Sequence, residues 1–163
     1  MDGIGLTLHA LHHGERGLAH DLEVVAERHR TDHEVHHVAK DLVRWSEEHC
    51  RRIAEAGRPY GLDLDGPAGS PTSALVSALR EKPTEALGPR PRAGLLLLSD
   101  LRALHLAAAG NSLYWEMLAQ AAQAAREPRL LELATACHPQ TLRQMRWTNT
   151  MIKDLAPQLL TSV

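Results

Sequence analysis

Apolar residues recur every three or four positions along most of this chain, and this is the period of the α-helix. The first such stripe, which predicts a helix over 4–29, consists of Ile4, Leu8, Leu11, Leu18, Leu22 and Val25. Comparable stripes predict helices over 32–56, 94–126 and 128–156. We therefore predict an all-α protein, a single domain over 1–163 that folds as an antiparallel four-helix bundle.

Short signals predict where these helices begin and end. Thr31 and Glu34 stand three residues apart, which is the spacing of a capping box that would start the second helix. Gly57, followed by Pro59, is typical of a helix end. The few residues between the first two helices leave room only for a tight turn, so these helices should form a hairpin.

The second half repeats this arrangement. Glu127 and Pro128 restart a helix directly after the third one, which predicts a second hairpin. Pro139 lies inside the fourth helix, where it removes a backbone hydrogen bond and predicts a kink. Residues 57–93 between the hairpins are rich in Pro and Gly, and Ser70 before Pro71 predicts one short helix over 72–80. So long a connection is expected to cross the length of the bundle.

The two halves are faintly similar when one is shifted by 102 residues. The matched positions are His36 with His138, Trp45 with Trp147, Ser46 with Thr148, and Ile53 with Leu155. Two related hairpins joined by a long crossover resemble the ferritin-like four-helix bundles. That resemblance implies a di-metal centre with Glu-x-x-His on two helices, but Ser46 stands three residues before His49. The carboxylate-rich motif is therefore not intact.

Histidine gives the strongest hint of chemistry, because nine of the eleven lie within the first 49 residues. Pairing the stripes of the first hairpin places Glu15 opposite His49, and the third helix offers His105 or Asn111 near that level. With His12 one turn before Glu15, these residues predict a mononuclear site of three imidazoles and one carboxylate, which suits Fe, Zn or Cu. The alternative is that Glu15 and His49 form a buried hydrogen-bonded pair without metal.

Other groups of residues offer secondary sites. His29, His33, His36 and His37 are expected on one side of the first turn, where they could capture a metal or form a pH-dependent interface, or simply be solvated. A second metal layer near that turn would use Glu23, Glu34, His37, Glu116, Thr135 and His138. Cys137 beside His138 also permits a nucleophile hypothesis.

Composition and charge limit the classes of partner that this protein could bind. A net charge of −2 offers no polycation for nucleic acid, and the longest unbroken apolar run, Leu95–Leu98, is too short for a membrane span. Two distant cysteines and no signal-peptide pattern indicate a reduced, cytoplasmic protein. We expect a metal-binding helical bundle with no assigned reaction, or else a non-catalytic module that dimerises or binds a partner protein. The many alanines of the third helix leave room for a further alternative, in which the bundle encloses a small apolar ligand.

Overall fold

The computed structural model describes residues 2–65 and 92–162. It contains four long α-helices, α1 (Gly3–Arg28), α2 (His33–Gly57), α3 (Ala93–Ala125) and α4 (Pro128–Thr161), and a 3₁₀ turn at Arg58–Tyr60. The predicted all-α bundle of two hairpins is confirmed, since α1 packs against α2 and α3 against α4. The short helix predicted over 72–80 lies outside the described residues.

Aspartates begin the first two helices. Asp2 Oδ1 accepts a hydrogen bond from the backbone N–H of Gly5 at 2.7 Å, and Asp32 Oδ1 accepts one from Val35 at 3.2 Å. The capping box predicted at Thr31 is therefore wrong by one residue, and α2 begins at His33. Either a carboxylate or a hydroxyl can accept a hydrogen bond from a free N–H group at a helix start. Only the carboxylate also carries a negative charge, which the positive end of the helix dipole attracts.

Two glycines near the end of α2 have different roles. α2 ends at Gly57 as predicted, but Gly57 keeps a helical backbone and does not adopt the left-handed conformation of a glycine cap. The residue with left-handed geometry is Gly61, with φ 75°, after the 3₁₀ turn that contains Pro59. Gly57 is small because the chain folds back onto it: a Cβ there would lie 3.2 Å from Leu62 Cβ.

The second hairpin turns through Arg126, which adopts the left-handed conformation with φ 57°. The N–H of Glu127 donates to the carbonyl of Ala122 at 2.8 Å, which closes the helix end. α4 then runs without interruption to Thr161, past the predicted end at 156. Pro157 is tolerated because it lies in an exposed stretch, where solvent can satisfy the carbonyl that it frees. The kink at Pro139 stays a prediction.

Contacts between the hairpins determine the direction of each helix. On α1 and α3, His29 meets Asp100 and Glu15 meets Trp115, so these helices are antiparallel. On α2 and α4, the backbone of Leu42 and the side chain of His49 meet Gln144 and Gln140 respectively. α2 and α3 therefore run in the same direction, so the end of α2 and the start of α3 lie at opposite ends of the bundle. Most of the crossover predicted over 57–93 lies outside the described residues, and its path stays a prediction.

Two apolar clusters fill the two ends of the bundle. The upper core lies at the α1–α2 turn and contains Leu18, Leu22, Val25, Val35, Leu42, Leu97, Leu101, Leu104 and Met151 among its members. The lower core lies at the α3–α4 turn and contains Leu8, Leu11, Ile53, Trp115, Leu118, Leu130 and Leu133 among its members. The chain has no Phe, so Leu carries most of both cores.

α3 is unusually apolar for a helix with so much exposed surface. An 18-residue window of it has a mean hydropathy of 1.3 with 22% of the window buried, so by length and composition alone it could cross a membrane. The argument from the short run Leu95–Leu98 is therefore insufficient, because alanines and glycines extend the apolar character far beyond that run. Within the bundle α3 packs against α1 and α4.

Candidate functional site

A layer of buried polar side chains separates the two apolar cores at mid-height. Each helix interrupts its apolar stripe at this level, as between Leu11 and Leu18 on α1. We call the following residues the central polar layer: Glu15, Ser46, His49, Asn111, Ser112, Gln140, Thr141 and Gln144. Because polar groups are costly to bury without partners, their concentration at one level makes this layer the candidate site.

Glu15 and His49 form the centre of the layer. Both side chains are completely buried, and His49 Nδ1 lies 3.2 Å from Glu15 Oε1. Trp115 donates its indole N–H to the same oxygen at 3.1 Å, and its ring meets the imidazole edge to face at a centroid distance of 5.7 Å. The predicted alignment of Glu15 with His49 is confirmed.

The other imidazole nitrogen determines the tautomer. His49 Nε2 lies 2.8 Å from Gln140 Oε1, an oxygen that can only accept, so Nε2 carries a proton. In the neutral ring Nδ1 then presents a lone pair to Glu15. The 3.2 Å contact between His49 Nδ1 and Glu15 Oε1 does not have the geometry of a hydrogen bond. Two acceptors at this distance repel each other unless a proton or a cation lies between them.

Several buried polar atoms of the layer have no hydrogen-bond partner among the described residues. They include Glu15 Oε2, Asn111 Nδ2, Thr141 Oγ1 and Gln144 Oε1. Gln144 uses its amide N–H groups on Ser46 Oγ and the carbonyl of Leu42, which leaves its own oxygen free. Native proteins rarely leave such atoms unsatisfied, so this concentration indicates a place where a small polar species binds.

A glycine on α1 makes room for this layer. A Cβ on Gly14 would lie only 2.1 Å from Asn111 Oδ1, so any larger residue would displace the Asn111 side chain. Glycine costs a helix interior about 0.5–1 kcal/mol relative to alanine. The close approach of α1 and α3 at the level of Glu15 explains why glycine stands here.

Two of the four residues predicted as metal ligands lie elsewhere. His105 Nδ1 is 2.9 Å from Thr148 Oγ1, and an α-helix rises about 15 Å between His105 and Trp115, which contacts Glu15. Across residues 2–65 and 92–162 no group of three or more His, Cys, Asp or Glu side chains is placed to share one metal ion. The structure thus brings together Glu15 and His49 only.

His12 is buried but belongs to a different environment. Burial, with smaller contributions from Arg16, His9 and His13, lowers its pKa to about 4, while Asp65 opposes the shift. The charged groups that act on His12 are therefore neighbours on α1 and the segment after α2, not members of the central polar layer. Its imidazole is neutral at pH 7.

The four histidines predicted to form a surface cluster divide into distinct roles. His29 is buried and its Nε2 lies 2.7 Å from Asp100, which also accepts two bonds from Arg28 at 2.8 and 3.0 Å. His36 Nδ1 donates to the carbonyl of Ala26 at 2.8 Å. Both rings therefore have a fixed partner within the fold, and neither is simply solvated.

Only two members of that cluster match the surface interpretation. His33 and His37 are exposed, and their rings stack with a centroid distance of 6.2 Å. This i, i+4 pair is the arrangement in which two imidazoles on a helix could hold a borderline ion weakly.

The second predicted metal layer is not assembled. His138 Nε2 lies 2.8 Å from Ser112 Oγ, one turn away from Glu116, which is exposed. The nucleophile hypothesis is disfavoured as well, because burial raises the pKa of the Cys137 thiol to about 11. Burial likewise raises the pKa of Cys50 to about 12, so both thiols stay protonated at neutral pH.

Sequence reasoning missed the contributions of α4 to the site. Thr141, Gln144 and Thr148 are buried at helical spacing, and this interruption of an apolar stripe was a usable signal. Gln140, which sets the His49 tautomer, carried no such signal because it lies beside the stripe and is partly exposed.

The fold and this layer define an all-α four-helix bundle with a buried polar centre. Comparison of the chain with protein-family models, curated proteins and solved structures gives no significant match.

Proposed function

We propose that this protein is a ferritin-like helical bundle that binds one transition-metal ion, Fe, Zn or Cu, between Glu15 and His49. The observation that carries the proposal is the 3.2 Å approach of His49 Nδ1 to Glu15 Oε1 in a fully buried setting. One carboxylate oxygen and one imidazole nitrogen form a donor set that suits these borderline ions.

The hydrogen bond of His49 to Gln140 supports this assignment. Metal-ligating histidines normally donate their other ring N–H to an oxygen acceptor, which fixes the tautomer and orients the lone pair. Gln140 Oε1 accepts from Nε2 at 2.8 Å and leaves Nδ1 as the ligand atom. The separation of Nδ1 from Glu15 Oε1 is that of two donors sharing one ion or one proton.

The unpartnered oxygens of the layer are candidates to complete the coordination sphere. Glu15 Oε2 and Thr141 Oγ1 are buried and have no hydrogen-bond partner within the described part of the chain, and both belong to residues of the central polar layer. Trp115 is fully buried and covers the imidazole on the side of the lower core, which keeps the local dielectric low and strengthens the attraction of a cation to the carboxylate.

The ferritin-like assignment is supported by topology and by the half-to-half pairing of buried polar residues. α2 and α3 run in the same direction, as in bundles of that class whose hairpins are joined by a long crossover. Ser46 and Thr148, which match under the shift of 102 residues, are both buried. The Glu-x-x-His motif of the ferritin-like class would place glutamates at these positions. Without those carboxylates, a mononuclear site fits this chain better than a dinuclear one.

A second candidate function has its own observation. Trp115 N–H and a protonated His49 would together satisfy Glu15 Oε1 without any metal, so the layer would be a charged pair that fixes the register of the helices. The protein would then be a non-catalytic helical module. In this case a proton, not a metal ion, lies between Nδ1 and the carboxylate.

Metal titration separates the two candidates. Full-length protein purified without a histidine-affinity step is analysed for bound metal, stripped with chelator, and titrated with Zn²⁺, Fe²⁺ or Cu⁺ by calorimetry and thermal unfolding. The proposal expects about one ion per chain and a raised Tm, because a ligand that binds only the folded state stabilises it. Both effects should disappear in Glu15→Gln and His49→Gln.

The exposed histidines supply the matched control. The double variant His33→Gln, His37→Gln removes the stacked surface pair and should retain the bound ion and the rise in Tm. Binding that is lost in this control but kept in Glu15→Gln would assign the metal to the surface and overturn the proposal. An unchanged Tm of the parent protein with every ion would favour the charged pair without metal.

A further inference from the structure

We propose that two copies of this chain form a symmetric dimer through the outer face of α3, with the two α3 helices antiparallel and crossing near Ala109 and Gly110. This inference is independent of the proposed metal site, because it rests on residues of the opposite face of the helix.

An exposed apolar stripe runs along α3. Leu106, Leu113 and Met117 expose 54%, 62% and 50% of their surface. With the exposed Ala103 before them and the exposed Gly110 between Leu106 and Leu113, the spacing of the stripe alternates between three and four residues, as in helices that pack along their length. Single exposed leucines are ordinary, but a continuous stripe indicates a contact surface.

Gly110 indicates a close approach from outside the chain. A Cβ at this position would meet no atom within 4 Å, so nothing among the described residues requires glycine there. Glycine nevertheless weakens a helix interior. A helix of a second copy that crosses at this point would use the missing side chain, in contrast to Gly14, whose space Asn111 fills.

The charges beside the stripe identify the occupant as a second copy in antiparallel orientation. Arg102 and Glu116 lie seven residues on either side of Ala109, both are exposed, and neither forms an ion pair with another described residue. A two-fold axis at Ala109 and Gly110 would bring Arg102 of each chain to Glu116 of the other, so that two equivalent ion pairs form.

The apolar residues of the α3 stripe are also arranged symmetrically about this two-fold axis. Leu106 and Leu113 are equally distant from the point between Ala109 and Gly110, so each would meet the other in the second copy. The stripe is therefore complementary to itself, which a surface for an unrelated partner has no reason to be.

Sedimentation of the full-length protein tests the dimer. Between about 1 and 200 µM, the range expected for an interface of modest size, the parent protein should shift from monomer to dimer. Gly110→Leu and Leu113→Glu should each weaken the dimer by about a hundredfold or more, because one blocks the close approach and the other buries a charge. Leu6→Glu, an equally exposed leucine on α1, should not change it.

A charge exchange tests the antiparallel arrangement. Arg102→Glu and Glu116→Arg should each weaken the dimer by roughly tenfold at low salt, since each creates two like-charge contacts. Combining both substitutions should restore the parent dissociation constant. Restoration supports the proposal, and two losses that simply add contradict it.

Two further results would overturn the proposal. One is a monomer at all concentrations that instead floats with neutral phosphatidylcholine vesicles, which would show that the apolar stripe of α3 faces lipid. The other is a dimer that survives every α3 substitution. Circular dichroism and Tm of each variant confirm that the monomer still folds, so that a loss of dimer reports on the interface.

Discussion

The centre of the bundle and the α1–α2 corner are both rich in histidine, yet they use it in different ways. At the centre, His49 is fully buried and makes two polar contacts, with Glu15 and Gln140. At the corner, His33 and His37 remain exposed, their rings stack on each other, and His37 also meets the ring of His36 edge to face. Imidazole becomes a defined chemical group only where packing fixes its tautomer and removes water.

His29 and His36 show that the corner is itself divided. His29 is buried against Asp100, and His36 is held by a backbone carbonyl. Helix packing therefore converts half of the corner into structural contacts and leaves the other half to solvent. The comparison predicts that energetic effects should follow burial and partners, not the local density of histidine.

Removing the carboxylate at the centre should have the largest effect. In metal-free protein Glu15→Ala leaves the Trp115 N–H buried without its acceptor and removes the buried carboxylate that faces His49 Nδ1, and we expect a loss of about 3–5 kcal/mol in the free energy of unfolding. Urea denaturation at pH 7 with chelator measures it. Glu27→Ala, which removes an exposed partner of Arg30 at the corner, should change it by about 0.5 kcal/mol or less. Equal losses in both variants would contradict the comparison.

Asp100 should rank next, because its partly buried carboxylate holds both His29 and Arg28 at the corner. Asp100→Ala leaves His29 buried without its partner and frees Arg28, which is one-third exposed. We expect a loss of about 1–2 kcal/mol by the same denaturation measurement. The control is Asp41→Ala, which removes only an exposed contact with Arg44. A loss no greater than that of the control would mean that the corner ion pair adds no stability.

His12 should make stability depend on pH. Its pKa is lowered to about 4, whereas the unfolded chain has the ordinary value near 6.5. Between these values the unfolded state binds the extra proton, so stability falls as the pH falls through this window. From pH 7 to pH 5 the parent should lose about 1 kcal/mol more than His12→Gln, a figure reduced for partial solvent screening. Identical pH profiles would show that His12 is not desolvated.

The exposed pair should have the smallest effect. The double variant His33→Gln, His37→Gln removes two stacked rings that are open to water. We expect the free energy of unfolding to stay within about 0.5 kcal/mol of the parent value, as for most surface substitutions. Thermal unfolding and urea denaturation at pH 7 provide the measurement, and a loss near that of Asp100→Ala would show that the corner is cooperative after all.

Local signals in the sequence were sufficient for the helices and for one part of the site. The period of Leu8, Leu11, Leu18 and Leu22 predicted α1 within one residue at each end. Glu15 and His49 could be paired because two helices joined by a tight turn have only one alignment of their apolar stripes. A helix start depends on which of two adjacent side chains reaches a free N–H, and for this reason Thr31 was preferred wrongly over Asp32.

Contacts between the hairpins were beyond such reasoning. The sequence alone determined an all-α chain, two hairpins and the Glu15–His49 pair, because these depend on periodicity and on short connections. Only the tertiary structure decided that Gln140 orients His49 and that His29 is buried against Asp100. These contacts depend on the rotation and the relative height of helices far apart in the chain, which no local pattern specifies.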